Sequence, residues 1–132
     1  MYVNRELVRR VEYSAADMSA RQADVLARMT PMTPGAAHEC DGGQLIAFGH
    51  GRYVNRAAGI GLGDMLATEI VIAVESFYKA RSLPASVEIN PWVNADLVAA
   101  LGDAGFRLER FRNVYVHELA SLVKTKTLDF SI

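Results

Sequence analysis

Arg56 is followed at short spacing by Gly59, Gly61 and Gly63, the stretch of the chain whose residue types best suit chemistry. Glycines let a turn bring backbone N–H groups together, and such groups ahead of a helix can hold a phosphate. Arg56 could add a charged contact to the same anion, or pair with a surface acid. The glycines would equally serve a turn and close packing. Glu88 lies inside an expected strand, with its polar phase opposite to Val87 and Ile89. Such a carboxylate could accept a proton from an amine, directly or through water, or stand as a solvated or paired strand residue.

The other reactive side chains form no motif. His38, His50 and His117 are scattered, without metal-ligand spacing, and Cys40 does not complete a site, so no metal is expected. No Ser/His/Asp or Cys/His arrangement points to hydrolysis. Asn90 and Asn94 suit the end of a strand and the cap of a helix better than substrate contacts. Tyr115 and His117 share a strand face, where they could line a cleft or coat the sheet.

These residues need elements to position them. Residues 6–29 read as helical, because Leu7, Val8, Val11, Met18, Val25, Leu26 and Met29 recur at spacings near three and four. Ser14 or Ser19 could restart the helix, so one helix and two are both open. Pro31 and Pro34 end this region in a loop. Residues 36–40 and 44–48 read as strands joined by the turn signal Asp41-Gly42-Gly43. Residues 53–58 lead as a strand into the glycines. A helix over 64–81 carries the stripe Leu66, Ile70, Ala73, Val74 and Phe77, and either Asp64 or Thr68 could cap it. Residues 85–90 form a strand closed by Pro91, and Asn94 caps a helix with the stripe Leu97, Val98, Leu101 and Ala104. Gly105 sits where a left-handed C-terminal cap is expected. Residues 106–117 are extended, with an apolar phase that slips at Phe111. The tail from 125 alternates, as an edge strand or a frayed end.

Composition bounds the rest. The chain has 132 residues, 51% hydrophobic and 22% charged, which suits one globular domain. A net charge of −1 gives no reason to expect a nucleic-acid surface or a polybasic membrane patch. Cys40 is the single cysteine, which fits a reducing cytoplasm. The first ten residues carry Arg5, Glu6, Arg9 and Arg10 and no apolar run, so no secretory signal is expected. The longest apolar run, residues 70–74, is too short to span a bilayer.

The pattern of Arg56, Gly59 and Gly61 resembles the acyl-CoA pyrophosphate signature of the GNAT acetyltransferase superfamily. Asn94 and the later Ala104-Gly105-Phe106 resemble that superfamily's closing helix, which ends in a Gly-Phe pair. More narrowly, Val54-Asn55-Arg56, Glu75-Ser76-Phe77-Tyr78, Glu88-Ile89-Asn90-Pro91, Gly105-Phe106-Arg107-Leu108 and Asn113-Val114-Tyr115-Val116 resemble a GNAT-like unit that forms the N-terminal half of tandem-GNAT proteins. The likeness spans residues 43–119. It implies an α/β fold: one domain with a mixed, mostly antiparallel twisted sheet flanked by helices. Residues 1–35 would be its helical part, 36–119 the sheet with two helices, and 120–132 a tail or edge strand.

The resemblance also implies a mechanism. The two central strands, 53–58 and 85–90, would splay apart around acetyl-CoA. Val54 and Asn55 would lie along the pantetheine, and Arg56, Gly59, Gly61 and Gly63 would hold the pyrophosphate. Glu88 would be the base for a small-molecule or peptide amine. Three departures stand against this. Leu101 occupies the position of the family's usual proton-donating tyrosine and cannot donate. A helix capped at Thr68 would start too far from the glycines to aim its dipole at a phosphate. The second GNAT domain is missing, so the chain is expected to be a short relative, a fragment, or one half of an assembly. A non-catalytic module beside a catalytic GNAT domain, or a homodimer, is therefore the alternative to an N-acetyltransferase.

Overall fold

Alanines in the N-terminal segment decide how it packs. In a computed structural model, which describes residues 2–30, 32, 35–52 and 54–116, this segment is one helix, α1 (Arg5–Met29). Asn4 sets its start by accepting from the Leu7 amide at 2.8 Å, which satisfies a donor that the first turn leaves unpaired. The break allowed for at residues 14–19 does not occur. Ala15, Ala16, Ala20 and Ala23 carry the helix past both serines, since alanine has the strongest helix propensity. The expected apolar stripe is corrected as well. Ala16, Ala20 and Ala23 are buried with Val8, whereas Met18, Val25 and Met29 are exposed. A face of methyl groups lets the helix lie close to the sheet, where Ala16 and Ala23 meet Ile46 and Ala58.

Strands β1 (Ala36–Cys40) and β2 (Gly43–Ala47) form a hairpin in which Cys40 pairs with Gly43. Asp41 and Gly42 make the two-residue turn at φ 52° and 85°, the double positive-φ geometry that matches strand twist. Strand β3 (Arg56–Ala58) pairs antiparallel with β2, Ala58 opposite Gln44, in the order β1-β2-β3. The strand expected over 53–58 is thus only three residues long. The strand expected over 85–90 is a single parallel bridge between Ala57 and Val87. Two 2.8 Å hydrogen bonds make it, from the Ala57 amide to the Ser86 carbonyl and from the Glu88 amide to the Ala57 carbonyl. The sheet is therefore antiparallel, with one parallel contact at its edge.

Helices α2 (Ala67–Lys79) and α3 (Ala95–Asp103) cover the opposite face. The pleat of β2 turns Leu45 and Ala47 toward Ile70, Val74, Tyr78 and Leu97, and Ile46 toward α1. The result is a small single α/β domain, a three-stranded antiparallel sheet flanked by helices. Neither Asp64 nor Thr68 caps α2. Leu66 holds that position with no side-chain bond, and Glu69 in the first turn faces the helix dipole. Asn94 does occupy the cap position of α3, without a capping bond. Gly105 at φ 90° turns the chain so that the Phe106 amide reaches the Leu101 carbonyl at 3.0 Å, as the C-terminal glycine predicts.

Residues 106–116, part of the extended segment expected over 106–117, make no strand pairing among the described residues. The phase slip at Phe111 leaves no single apolar face to bury, and Leu108, Phe111 and Tyr115 are exposed. His117 and the tail expected at 120–132 lie outside the described residues, as do Pro31, Pro34 and Tyr53.

One buried hydroxyl ties the layers together. Tyr78 donates to the Ile46 carbonyl at 3.0 Å and accepts from the Ile46 amide at 3.3 Å. Tyr78→Phe removes this partner from two strand groups, and should lower unfolding free energy by about 1–3 kcal/mol in a urea melt.

Cys40 gives the core a pH signature. Burial, then the charges of Asp41 and Glu39, push its thiol up from 9.0 to about 11. The folded state keeps the proton longer than the unfolded chain does. This contribution is complete below about pH 9 and is lost as pH rises to about 11, because the unfolded thiol ionises first. Burial shifts the Tyr78 hydroxyl upward too, in the same sense. The urea midpoint should therefore fall across that window, and less steeply in Cys40→Ala.

Candidate functional site

The glycine turn enters α2 through residues 59–66, and its peptide groups alternate in direction. The amides of Gly61 and Gly63 donate to one carboxylate oxygen of Asp41 at 3.0 and 3.1 Å, and the Met65 amide to the other at 2.9 Å. The Leu62 carbonyl shares a trans peptide group with the Gly63 amide and so points the other way. Leu62 accepts from Arg9 at 2.9 Å and from Arg5 at 3.3 Å. The Gly61 carbonyl accepts from the Asn94 amide at 3.1 Å. Every second amide thus converges on one anion, which is the geometry of an anion-binding nest.

Two glycines make this possible. Gly61 has φ 82°, and a Cβ there would meet Leu97 at 2.3 Å. A Cβ at Gly63 would stand 2.4 Å from a carboxylate oxygen of Asp41, so the space glycine leaves is the seat of that oxygen. Arg5 braces the outer side, bonding also to the carbonyl of Trp92 and to the Asn94 side chain at 2.9 and 3.0 Å. This explains why Asn94 caps nothing with its side chain: its oxygen serves Arg5.

The sequence-expected residues separate into three groups. Gly61 and Gly63 meet at Asp41. Gly59, at φ 72°, turns the chain from β3 into the loop, and its position would bring a Cβ to 3.2 Å from the Glu12 carbonyl. Arg56 and Glu88 come together across the Ala57–Val87 bridge, with Arg56 Nε 3.0 Å from a Glu88 oxygen. That nitrogen is buried and its N–H is not aimed to hydrogen-bond, so the attraction is coulombic. The second Glu88 oxygen takes a hydrogen bond from Arg112. Asn55 is the third case. It is buried and closes its own loop, accepting from the Phe48 amide at 2.6 Å and donating to the Gly49 carbonyl at 2.7 Å. Val54 lies beside Phe48 in an open groove of about 1020 Å³ along α1, with Met18, Val25 and Met29.

Remaining candidates take no part. Leu101 is buried in the core, Tyr115 is exposed, and His38 and His50 are exposed. Among the described residues no group of His, Cys, Asp and Glu could hold a metal ion. No helix there is long and apolar enough to cross a membrane. Sequence reading missed Asp41 as a site residue and gave it only a turn. Its loop partners lie 20 to 24 positions away, so no local spacing could have revealed the contact.

Compared with known proteins, the chain matches no family model, no curated protein and no solved structure.

The seat at Gly63 gives a direct test. Gly63→Ala in the otherwise unchanged chain should displace the Asp41 carboxylate and lower stability by about 1–3 kcal/mol, the range for an orphaned buried polar group. In an Asp41→Gly background the same change should cost far less, because the clashing oxygen is gone. Urea melts of the double-mutant cycle measure the difference.

Proposed function

We propose that the chain is a GNAT-like acyltransferase-type domain serving as a non-catalytic module, one that packs against a separate catalytic GNAT domain or positions its amine substrate. The observation that carries this reading is the Asp41 carboxylate on the amides of Gly61, Gly63 and Met65. Donors that would face a pyrophosphate already have an anion of the protein's own. Leu101 in the core supplies no acid to protonate a leaving thiolate. Exposed Leu108, Phe111 and Tyr115 offer an apolar surface suited to a second domain or a second copy. The GNAT likeness draws support from the single Ala57–Val87 bridge, the contact expected of two parallel strands that touch once and part. A lone buried thiol suits the cytoplasm.

A second reading is an acetyl-CoA-dependent N-acetyltransferase, and the unpartnered Nε–H of Arg56 favours it. There Val54 and Asn55 would flank the pantetheine, Arg56, Gly59, Gly61 and Gly63 would hold the pyrophosphate, and Glu88 would serve as base. Glu88 would first have to release Arg56 and Arg112.

Calorimetric titration with acetyl-CoA, checked by thermal shift, separates the two. The module reading expects no heat and no shift at millimolar ligand. Micromolar binding that Arg56→Glu abolishes would overturn it in favour of the enzyme.

A further inference from the structure

We infer that the open groove beside α1 is a docking site for an acidic amphipathic helix of a partner protein. The inference goes beyond the reading above, which sets a second domain against Leu108, Phe111 and Tyr115, and it does not depend on that reading. The C-terminal half of α1 forms one wall, and Phe48, Gly51, Arg52 and Val54 form the other, around a volume of about 1020 Å³.

The apolar side chains of this groove have no use inside the fold. Met18, Val25 and Met29 are 60%, 47% and 78% exposed. Spaced seven and four residues apart, they fall within about 40° of arc on the helix. Valine forms helix poorly, so Val25 serves neither the stability of α1 nor the core. Methionine is unbranched and adapts its shape to an apolar partner. The groove is also preformed. The alanine face of α1 fixes one wall on the sheet, and Asn55 closes the other by accepting from the Phe48 amide and donating to the Gly49 carbonyl. Walls already in place lower the ordering cost of binding. Charge then selects the occupant. Arg21 stands on one wall and Arg52 on the other, and neither guanidinium makes a hydrogen bond or an ion pair among the described residues. Asp17, the acid of the groove, takes a hydrogen bond from Gln44 Nε2 at 3.2 Å. The rim is therefore net positive and suits an acidic partner.

The shape of the groove favours a helix. Met18 to Met29 spans about 16 Å along α1, which is three turns of a helix laid beside it. Such a helix sets apolar side chains, at spacings of three and four, onto Met18, Val25, Met29, Phe48 and Val54, and turns its polar face to water. Acids flanking its apolar stripe meet Arg21 and Arg52, whereas bases there meet like charge. A strand is the poorer fit. One wall is a helix, and on the other the Phe48 amide and the Gly49 carbonyl are held by Asn55, so side chains rather than backbone pairing must carry recognition.

The test is fluorescence anisotropy of the full chain with a labelled helix-forming peptide of about 15 residues, carrying Leu at spacings of three and four and Glu between them. A second peptide has Lys in place of every Glu. The Glu peptide should bind, and the Lys peptide should bind about tenfold more weakly. Arg21→Glu with Arg52→Glu should reverse that order. Val25→Glu should weaken the Glu peptide, and Met29→Glu, at a more exposed position, does the same duty should Val25→Glu fail to fold. No binding of the Glu peptide at millimolar protein, equal affinity for the two peptides, or binding that survives both apolar-face variants overturns the inference. A dimer in sedimentation that Val25→Glu dissolves assigns the face to a second copy and overturns it too. So does binding to phosphatidylglycerol vesicles without binding to either peptide, which assigns the face to a lipid surface. Acetyl-CoA is absent from every arm, so the result is independent of whether the chain binds that cofactor.

Discussion

The contact between the Asp41 carboxylate and three loop amides joins parts of the chain that nothing else in their sequence connects. One side is the tight turn of a hairpin, and the other is the lead-in to α2. A charged acceptor strengthens each bond, and partial burial limits how far water can replace it. With the loop fixed, Ile60 and Leu62 enter the core, and α2 begins at Ala67 in the position from which Ile70, Val74 and Tyr78 reach the sheet.

The two faces of the sheet are built by different means. On the α2 and α3 side, large aliphatic and aromatic side chains interlock around Leu45, and burial of apolar area is the main source of stability there. On the α1 side, methyl groups permit a close approach and leave less area to bury. Polar links across the α1 layer supplement it: Arg5 and Arg9 to the loop, Glu12 to Asn90 at 3.1 Å, and Gln44 to Asp17 at 3.2 Å. Met18, Val25 and Met29 then have no sheet to cover and line an open groove. The helix is amphipathic in the expected period, but it is rotated so that its smallest residues face inward.

Asp41 and Glu88 illustrate how charge is used twice. Each is an acid set against converging donors, backbone amides in one case and two guanidinium groups in the other. The resemblance to acyl-CoA enzymes implies that these donors serve a ligand. In the fold as it stands, Asp41 takes the amides, and Glu88 takes a hydrogen bond from Arg112 and pairs with Arg56 by charge alone. That substitution is the physical content of the module reading.

Much of the fold was legible in the residues themselves. Turn chemistry located β1 and β2, although the turn expected over Asp41-Gly42-Gly43 closes over Asp41 and Gly42 alone, which puts Gly43 in the strand opposite Cys40 and ends β2 at Ala47. The stripe from Ile70 to Phe77 located α2, and Gly105 its left-handed cap after α3, since both follow from local sterics and period. The glycines marked a turn, in which the amides of Gly61 and Gly63 but not that of Gly59 converge. What filled that turn was not legible, nor which face of α1 was buried, nor that residues 85–90 would touch β3 at one point. Each of these depends on partners far away in the chain, and only packing brings them within hydrogen-bonding or van der Waals reach. Local propensity fixes where an element lies. The choice between an external anion and Asp41 is made by a distance that exists only after the sheet and the helices have closed.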